Sequence, residues 1–399
     1  LLEASLTSVL SFREFSELVW AKTVQKGYPM AFWKLPNQTE IQAVADTNTH
    51  TRLVQPDLEQ LERGFIVSPF VQYNKKCFFI PATTYFSYSI TEKNTHVAQY
   101  IIDDVAEKIG IDIHSNLSAT FSYFSSPHHQ ETVSEANQKT AYISTVNKAI
   151  KAIQNTDFQK VVLSRTKEIA VENINPFAIF EQLCTLYPTA FVSLVFLPEC
   201  GVWVGASPET LISIDEKAIF RTVALAGTQP RSNTANLSDA TWRQKEIEEQ
   251  ALVSRYIINC FKKIRLREFE EIGPRTVAAG SLMHLRTDFE VDTIKTNFKQ
   301  LPTVMLDLLH PTSAVCGMPK PESLAFVLEN EGYDRKLYSG FLGQVNINNC
   351  SHLFVNLRCA QLFSQSVILY AGAGITQDSD PEKEWNETEI KMQVIAKAI

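Results

Sequence analysis

Short apolar runs broken by turn residues fill this chain, and two spacings organise them. Apolar positions recurring every three or four residues predict amphipathic helices over 11–27, 141–157, 241–265, 297–309, 321–331 and 381–398. Aromatic and β-branched runs predict strands over 29–36, 75–90, 158–171, 190–198, 201–214 and 218–228, and three more over 337–376. The turn at Pro198–Gly201 joins two of these runs as a hairpin. The last three strands follow one another on short connections. That suits antiparallel pairing, because a parallel crossover needs a dozen or more residues. The pattern predicts an α+β fold, with large antiparallel β-sheets flanked by helices, and not a doubly wound nucleotide fold. The polar stretch SSPHHQETVSEANQKT (125–140) reads as a surface loop.

Composition narrows the class. A chain of 399 residues with 45% apolar and 20% charged positions can bury a substantial core and reads as globular and soluble. A net charge of −7 without a basic tail argues against nucleic acid as a partner. No apolar run reaches the eighteen or so residues of a membrane helix. The opening LLEASLTSVLSF lacks a basic segment, so it is not expected to be a signal peptide and reads as a trimmed end. Seven scattered cysteines with no C-x-x-C pair predict reduced thiols, mostly in the core, and a cytoplasmic location.

Candidate chemistry begins with two acid pairs. In EWNETEIK (384–391), Glu384, Glu387 and Lys391 share one helical stripe, and in QKEIEEQALVSR (244–255) Glu246 and Glu249 lie three apart. Two solvated helix faces would explain them, and so would one cation held between two helices. Oxygen-only ligands would suit Mg²⁺. Lys160 opens an aliphatic strand, where it is either a strand-end lysine or a buried base with a lowered pKa. Glu209, after Pro208, is either structural or an acid whose pKa an apolar pocket would raise. AGAG (371–374), taken alone, reads as a turn, and GASPE (205–209) lacks the second glycine of a nucleophile elbow.

Ten motifs in order join these pieces: FQKVVLSR, GASPETL, ALAGT, KEIEEQ, HLRTDFEV, LHPTSAVCGMPK, LYSGFLG, NLRCAQL, LYAGAGI and EKEWNETEIKMQ. The series resembles the chorismate-utilising enzymes, which include isochorismate and salicylate synthases and the first components of anthranilate and aminodeoxychorismate synthases. The likeness covers 140–399 and is loose over 1–130, the variable half of a single chorismate-binding domain. It implies that Lys160 activates water at C2 of chorismate and Glu209 protonates the departing C4 hydroxyl. It implies Mg²⁺ on Glu249 and Glu387, with Glu246 and Glu384 as supporting acids. Tyr338, Arg358 and the backbone at Gly372 and Gly374 would grip the enolpyruvyl carboxylate, with His284 beside it. Gly227 and Thr228 would approach the ring carboxylate, and Lys391 would add positive charge.

The motifs also separate branches of the family. Anthranilate synthases resemble this chain but carry Gln where Lys160 stands, and the aminodeoxychorismate branch has a lysine where ALAGT lies here. Ala314, in SAVCG, stands where salicylate synthases tend to carry Thr, although Ser313 departs from the proline common before it. The resemblance therefore implies isochorismate formation, with salicylate formation or a non-catalytic chorismate-binding protein as alternatives. It also implies a monomer without an amidotransferase subunit, serving menaquinone or siderophore synthesis.

Overall fold

The computed structural model describes residues 10–90, 99–110, 134–156, 158–230, 236–237, 240–279 and 282–399. The helices are α1 (Phe12–Gln25), α2 (Gln99–Ile109), α3 (Glu135–Asn155), α4 (Pro176–Leu186), α5 (Gln244–Lys263), α6 (Leu301–Leu309), α7 (Lys320–Asn330) and α8 (Pro381–Ala396). The N-terminal strands are β1 (Met30–Lys34), β2 (Glu40–Ala45), β3 (Arg52–Val54), β4 (Gly64–Ser68), β5 (Cys77–Pro81) and β6 (Thr84–Ser89). The middle of the chain adds β7 (Lys160–Ala170), β8 (Phe191–Leu197), β9 (Gly201–Ser207), β10 (Thr210–Ile214), β11 (Ile219–Pro230), β12 (Glu270–Ala279) and β13 (Leu282–Asp292). The last strands are β14 (Gly317–Met318), β15 (Phe341–Ile347), β16 (Cys350–Val355), β17 (Cys359–Leu362) and β18 (Ser366–Ile375).

Among the described residues these strands form two nine-stranded sheets, ordered β14-β7-β18-β17-β9-β8-β1-β2-β6 and β12-β13-β11-β10-β16-β15-β4-β5-β3. In each, three strands from before residue 90 extend one end of a sheet built from the rest of the chain. The expected antiparallel α+β architecture is present. The sheets face each other across a core in which Trp33, Val44, Phe191 and Trp203 of the first meet Phe65, Ile80, Leu342 and Phe354 of the second. Phe191 stacks on Phe354 with centroids 4.1 Å apart, and Trp33 Nε1 donates to Gln344 Oε1 at 2.9 Å across the same gap. Helices α1, α2, α4 and α8 cover the outer face of the first sheet, and α5 and α6 that of the second. A strand such as β8, FVSLVFL, is buried at every position because both its faces are covered.

Several sequence boundaries shift. The run 201–214 is not one strand: β9 belongs to the first sheet and β10 to the second, and the chain crosses between sheets at Pro208–Glu209. The expected single strand at 352–363 likewise breaks into β16 and β17 around Arg358, which has φ +48°. The run 75–90 is two strands. AGAG is no turn but the interior of β18, with Gly372 opposite Ser164 and Gly374 opposite Val162. Of the expected loop 125–140, residues 135–140 begin α3, capped by Ser134, and 125–133 lie outside the described residues. No described helix is long and apolar enough to cross a membrane. All seven cysteines are free thiols, five of them buried.

Candidate active site

The two crossings lie side by side. The Val355 N–H donates to the Glu209 carbonyl at 3.0 Å, and the Ala206 N–H donates to the Arg358 carbonyl at 2.9 Å. The Ser207 hydroxyl donates to the Val355 carbonyl at 2.6 Å and accepts from the Glu209 N–H at 3.3 Å. Glu209 and Arg358 are thus fixed where two strands leave one sheet for the other. Both line a cleft of about 680 Å³, mouth included.

The same cleft is lined by Lys160 at the start of β7, Gly227 and Thr228 on β11, Glu249 on α5 and His284 on β13. Ala314, Tyr338, Gly372 and Gly374 line it too, as do Glu387 and Lys391 on α8. Of the residues singled out from sequence, Glu246 and Glu384 do not line it. The Glu246 carboxylate accepts from the Arg243 N–H at 2.9 Å at the start of α5, and buried Glu384 pairs with Lys245 at 3.0 Å. Sequence reasoning missed the apolar lining: Val162, Leu225, Ala226, Val315 and Leu357. Their signal was present, since each lies inside a quoted motif, but as ordinary core residues.

Close approaches explain the glycines. Gly227 has φ +70° and sits at a bulge between Ala226 and Thr228, and a Cβ there would lie 3.0 Å from Glu246 Cβ. A Cβ on Gly372 would lie 2.9 Å from the Tyr338 hydroxyl, and one on Gly374 would lie 2.8 Å from Glu249 Oε1.

Burial and charge set the protonation states. Burial raises the Glu209 carboxyl from its usual 4.5 to about 7, against the pull of Arg358, Lys160 and Lys391. Burial, helped by the Arg358 charge, lowers His284 to about 4, so its ring is neutral near pH 7. Its Nδ1 lies 3.0 Å from the Gly227 carbonyl, which makes Nδ1 the protonated nitrogen. Lys160, only 4% exposed, pairs with Glu249 at 3.2 Å. Lys391 pairs with Glu387 at 2.6 Å and donates to the Gly372 carbonyl at 2.8 Å. Burial alone would raise Glu387, but Lys391, Lys245 and Arg358 hold it below its usual value. Burial raises Glu384 despite Lys245, and the Glu387 charge adds to the rise. Arg358 has no ion-paired carboxylate among the described residues, and its planar fork on the cleft wall suits a carboxylate ligand.

Among the described residues, no three His, Cys, Asp or Glu side chains are arranged to hold a metal ion by themselves. Glu249 and Glu387 nevertheless reach the cleft from two helices with oxygen donors alone. Mg²⁺ needs only one or two carboxylates when waters and a substrate complete its shell, so the donor set fits that ion.

The family model described as chorismate binding enzyme matches residues 68–399, a span that includes every residue of this cleft. The chain belongs to the chorismate-binding enzyme family. Among relatives in this family, isochorismate synthase EntC of Escherichia coli (strain K12) is 30% identical over 264 residues, covering 65% of this chain and 66% of that protein. The vibriobactin-specific isochorismate synthase of Vibrio cholerae is 29% identical over 263 residues, covering 64% of this chain and 66% of that one. The chain thus spans just under two thirds of the length of these relatives. The solved structure of MenF, the menaquinone-specific isochorismate synthase from Escherichia coli, superposes with a TM-score of 0.72 at 22% identity, covering 96% of this chain and 90% of that one. At that identity the likeness establishes the fold shared within the chorismate-binding family.

Proposed function

We propose that this member of the family is an isochorismate synthase, converting chorismate to isochorismate with Mg²⁺. The observation that carries the reading is one cleft lined by a lysine, Lys160, and by a carboxylic acid, Glu209, whose pKa of about 7 suits it to donate a proton. Lys160, as the free amine, takes a proton from water as the oxygen bonds to C2. The ring double bond shifts, and the C4–O bond breaks as Glu209 gives its proton to the leaving hydroxyl. Water enters and water leaves, so atoms balance and the reaction is an isomerisation.

Lys160 meets Glu249 as an ammonium–carboxylate pair. Engagement of that carboxylate elsewhere would release the Lys160 side chain toward the attacking water. Glu249 and Glu387 would hold Mg²⁺, with Glu246 and Glu384 behind them; the ion would supply positive charge for a substrate carboxylate. Arg358 and Tyr338 would grip the second carboxylate, and Lys391 would add charge beside Gly372. Neutral His284 and the apolar residues Ala314, Val315 and Leu357 would pack against the uncharged part of the substrate.

Chorismate incubated with the protein and Mg²⁺, then with EDTA, tests the reading when products are resolved by chromatography. Isochorismate without pyruvate, abolished by EDTA, is the expected result. Salicylate with stoichiometric pyruvate would move the assignment to salicylate synthase, and no product would leave a chorismate-binding protein.

A further inference from the structure

Directly beneath the cleft lies an ion pair that touches none of its space. Arg335 and Glu331 are each 2% exposed at the side chain, and they meet through Nε–Oε2 at 2.7 Å and Nη2–Oε1 at 2.5 Å. Two buried charges are a poor investment in stability alone, because their desolvation offsets most of their attraction. Their remaining hydrogen bonds show what else they join.

Arg335 Nη2 donates to the Val162 carbonyl at 2.7 Å and Nη1 to the Val315 carbonyl at 2.8 Å. Both valines line the cleft, Val162 two residues after Lys160 and Val315 next to Ala314. The Val162 N–H is bonded to the Cys316 carbonyl at 2.9 Å, so Arg335 supplies donors just where the 312–316 segment parts from β7. Glu331 Oε1 accepts from the Ser164 N–H at 2.6 Å and from its hydroxyl at 2.9 Å, and that hydroxyl lies 2.7 Å from the Tyr333 hydroxyl. The guanidinium also lies over the Phe70 ring, 4.3 Å from its centroid. One ion pair therefore ties β7 to the 312–316 segment and to the turn leading into Tyr338.

We propose that Arg335 and Glu331 form a positioning pair that sets the spacing between the Lys160 end of β7 and the Ala314–Val315 wall of the cleft. The proposal rests on the isochorismate synthase reading for its kinetic consequence but not for its geometry. Arginine is required because three acceptors in different directions need a planar fork, which a lysine ammonium cannot reproduce. Neither residue lines the cleft, and the pair adjusts where Lys160 meets the substrate, so its loss should fall on turnover more than on binding.

The test compares Arg335→Lys and Glu331→Gln with wild type by thermal melting, by kcat and KM for chorismate, and by amide hydrogen exchange. Both variants are expected to fold, with KM within about three-fold of wild type and kcat lower by about ten-fold or more. Exchange should quicken at 160–164 and 313–316 and stay unchanged in β8 and β9. A kcat that is unchanged, or that recovers fully on cooling with the folded fraction, would overturn the proposal. Failure of both variants to fold would also overturn it, assigning the pair to stability alone. If wild type itself does not convert chorismate, the functional reading fails. The exchange pattern then decides the positioning role by itself, with uniform exchange counting against it.

Discussion

Lys160 and Glu249 meet at 3.2 Å across the one position in β18 where a side chain would part them, because a Cβ on Gly374 would lie 2.8 Å from Glu249 Oε1 and 2.9 Å from Lys160 Cε. Gly374 is in ordinary strand geometry, so the requirement is for space and not for backbone freedom. Gly374→Ala is therefore expected to fold normally and to displace both side chains. A misplacement approaching 1 Å costs about 100-fold in turnover. Steady-state kinetics beside a thermal melt checks this; an active Ala variant would show that the contact is dispensable.

Lys160→Ala should keep chorismate binding, because Arg358, Tyr338 and the helix carboxylates remain. Turnover should fall by about 10²–10⁴-fold, the usual contribution of a general base. Binding by calorimetry and product formation by chromatography separate the two effects. Unchanged turnover would remove Lys160 as the base.

The Glu209 carboxyl, raised to about 7 by burial, must be protonated to donate. Turnover is expected to fall as pH rises through 7, and Glu209→Gln should abolish that limb together with most activity. Stability carries the same signature with a definite sign. Between the unfolded value near 4.5 and the folded value near 7 the native state binds the extra proton, so the contribution of Glu209 is present below pH 4.5 and lost as pH rises to 7. The shift is worth roughly 3 kcal/mol, so Glu209→Gln should gain stability over wild type at pH 8 but not at pH 4.5. Denaturant titrations at the two pH values check it.

Glu387→Ala tests the ion. Loss of one of two carboxylates should remove measurable Mg²⁺ binding by calorimetry and free Lys391 from its 2.6 Å pair. Wild type should melt at a higher temperature in Mg²⁺ than in EDTA, since a ligand that binds only the native state stabilises it. The variant should show no such difference. Full activity in the variant would remove Glu387 from the ion site.

The sequence carried the sheets and helices well where one period ran unbroken, as in β7, α5 and α8. It failed at Pro208–Glu209 and at Arg358, because apolar strands flank both crossings and the hydrophobic pattern runs straight through a change of sheet. Those crossings hold the acid and the guanidinium of the cleft, so periodicity was blind where the chemistry is. The ordered motifs located Glu209 and Arg358 instead, together with the lysines and helix carboxylates. Helical spacing alone left the four glutamates alike; the resemblance set Glu249 and Glu387, which reach the cleft, apart from Glu246 and Glu384, which are taken up by Arg243 and Lys245. That distinction depends on how two helices face each other, which one helix's spacing does not contain. Arg335 was invisible for a related reason: besides the nearby Glu331 carboxylate, its acceptors are the backbone carbonyls of Val315 and Val162, far away in sequence.

Arg165 offers a last test of how α8 is held. Its guanidinium lies 3.5 Å from the centroid of Trp385, its Nε donates to Thr388 Oγ1 at 2.7 Å, and Nη2 pairs with Glu389. These three partners flank Glu387 on α8, while Arg165 itself stands on β7, the strand that begins at Lys160. Arg165 thus ties the helix carrying one proposed ion ligand to the strand carrying the proposed base. Arg165→Met keeps the stem but loses the hydrogen bonds and the cation–ring contact, a loss of about 2–4 kcal/mol. Mg²⁺ affinity should weaken by about 10–100-fold although no ligand has changed, as happens when outer partners stop orienting inner ones. Calorimetry at a temperature where the variant is fully folded checks this. Wild-type affinity there would mean that α8 holds Glu387 in place without Arg165.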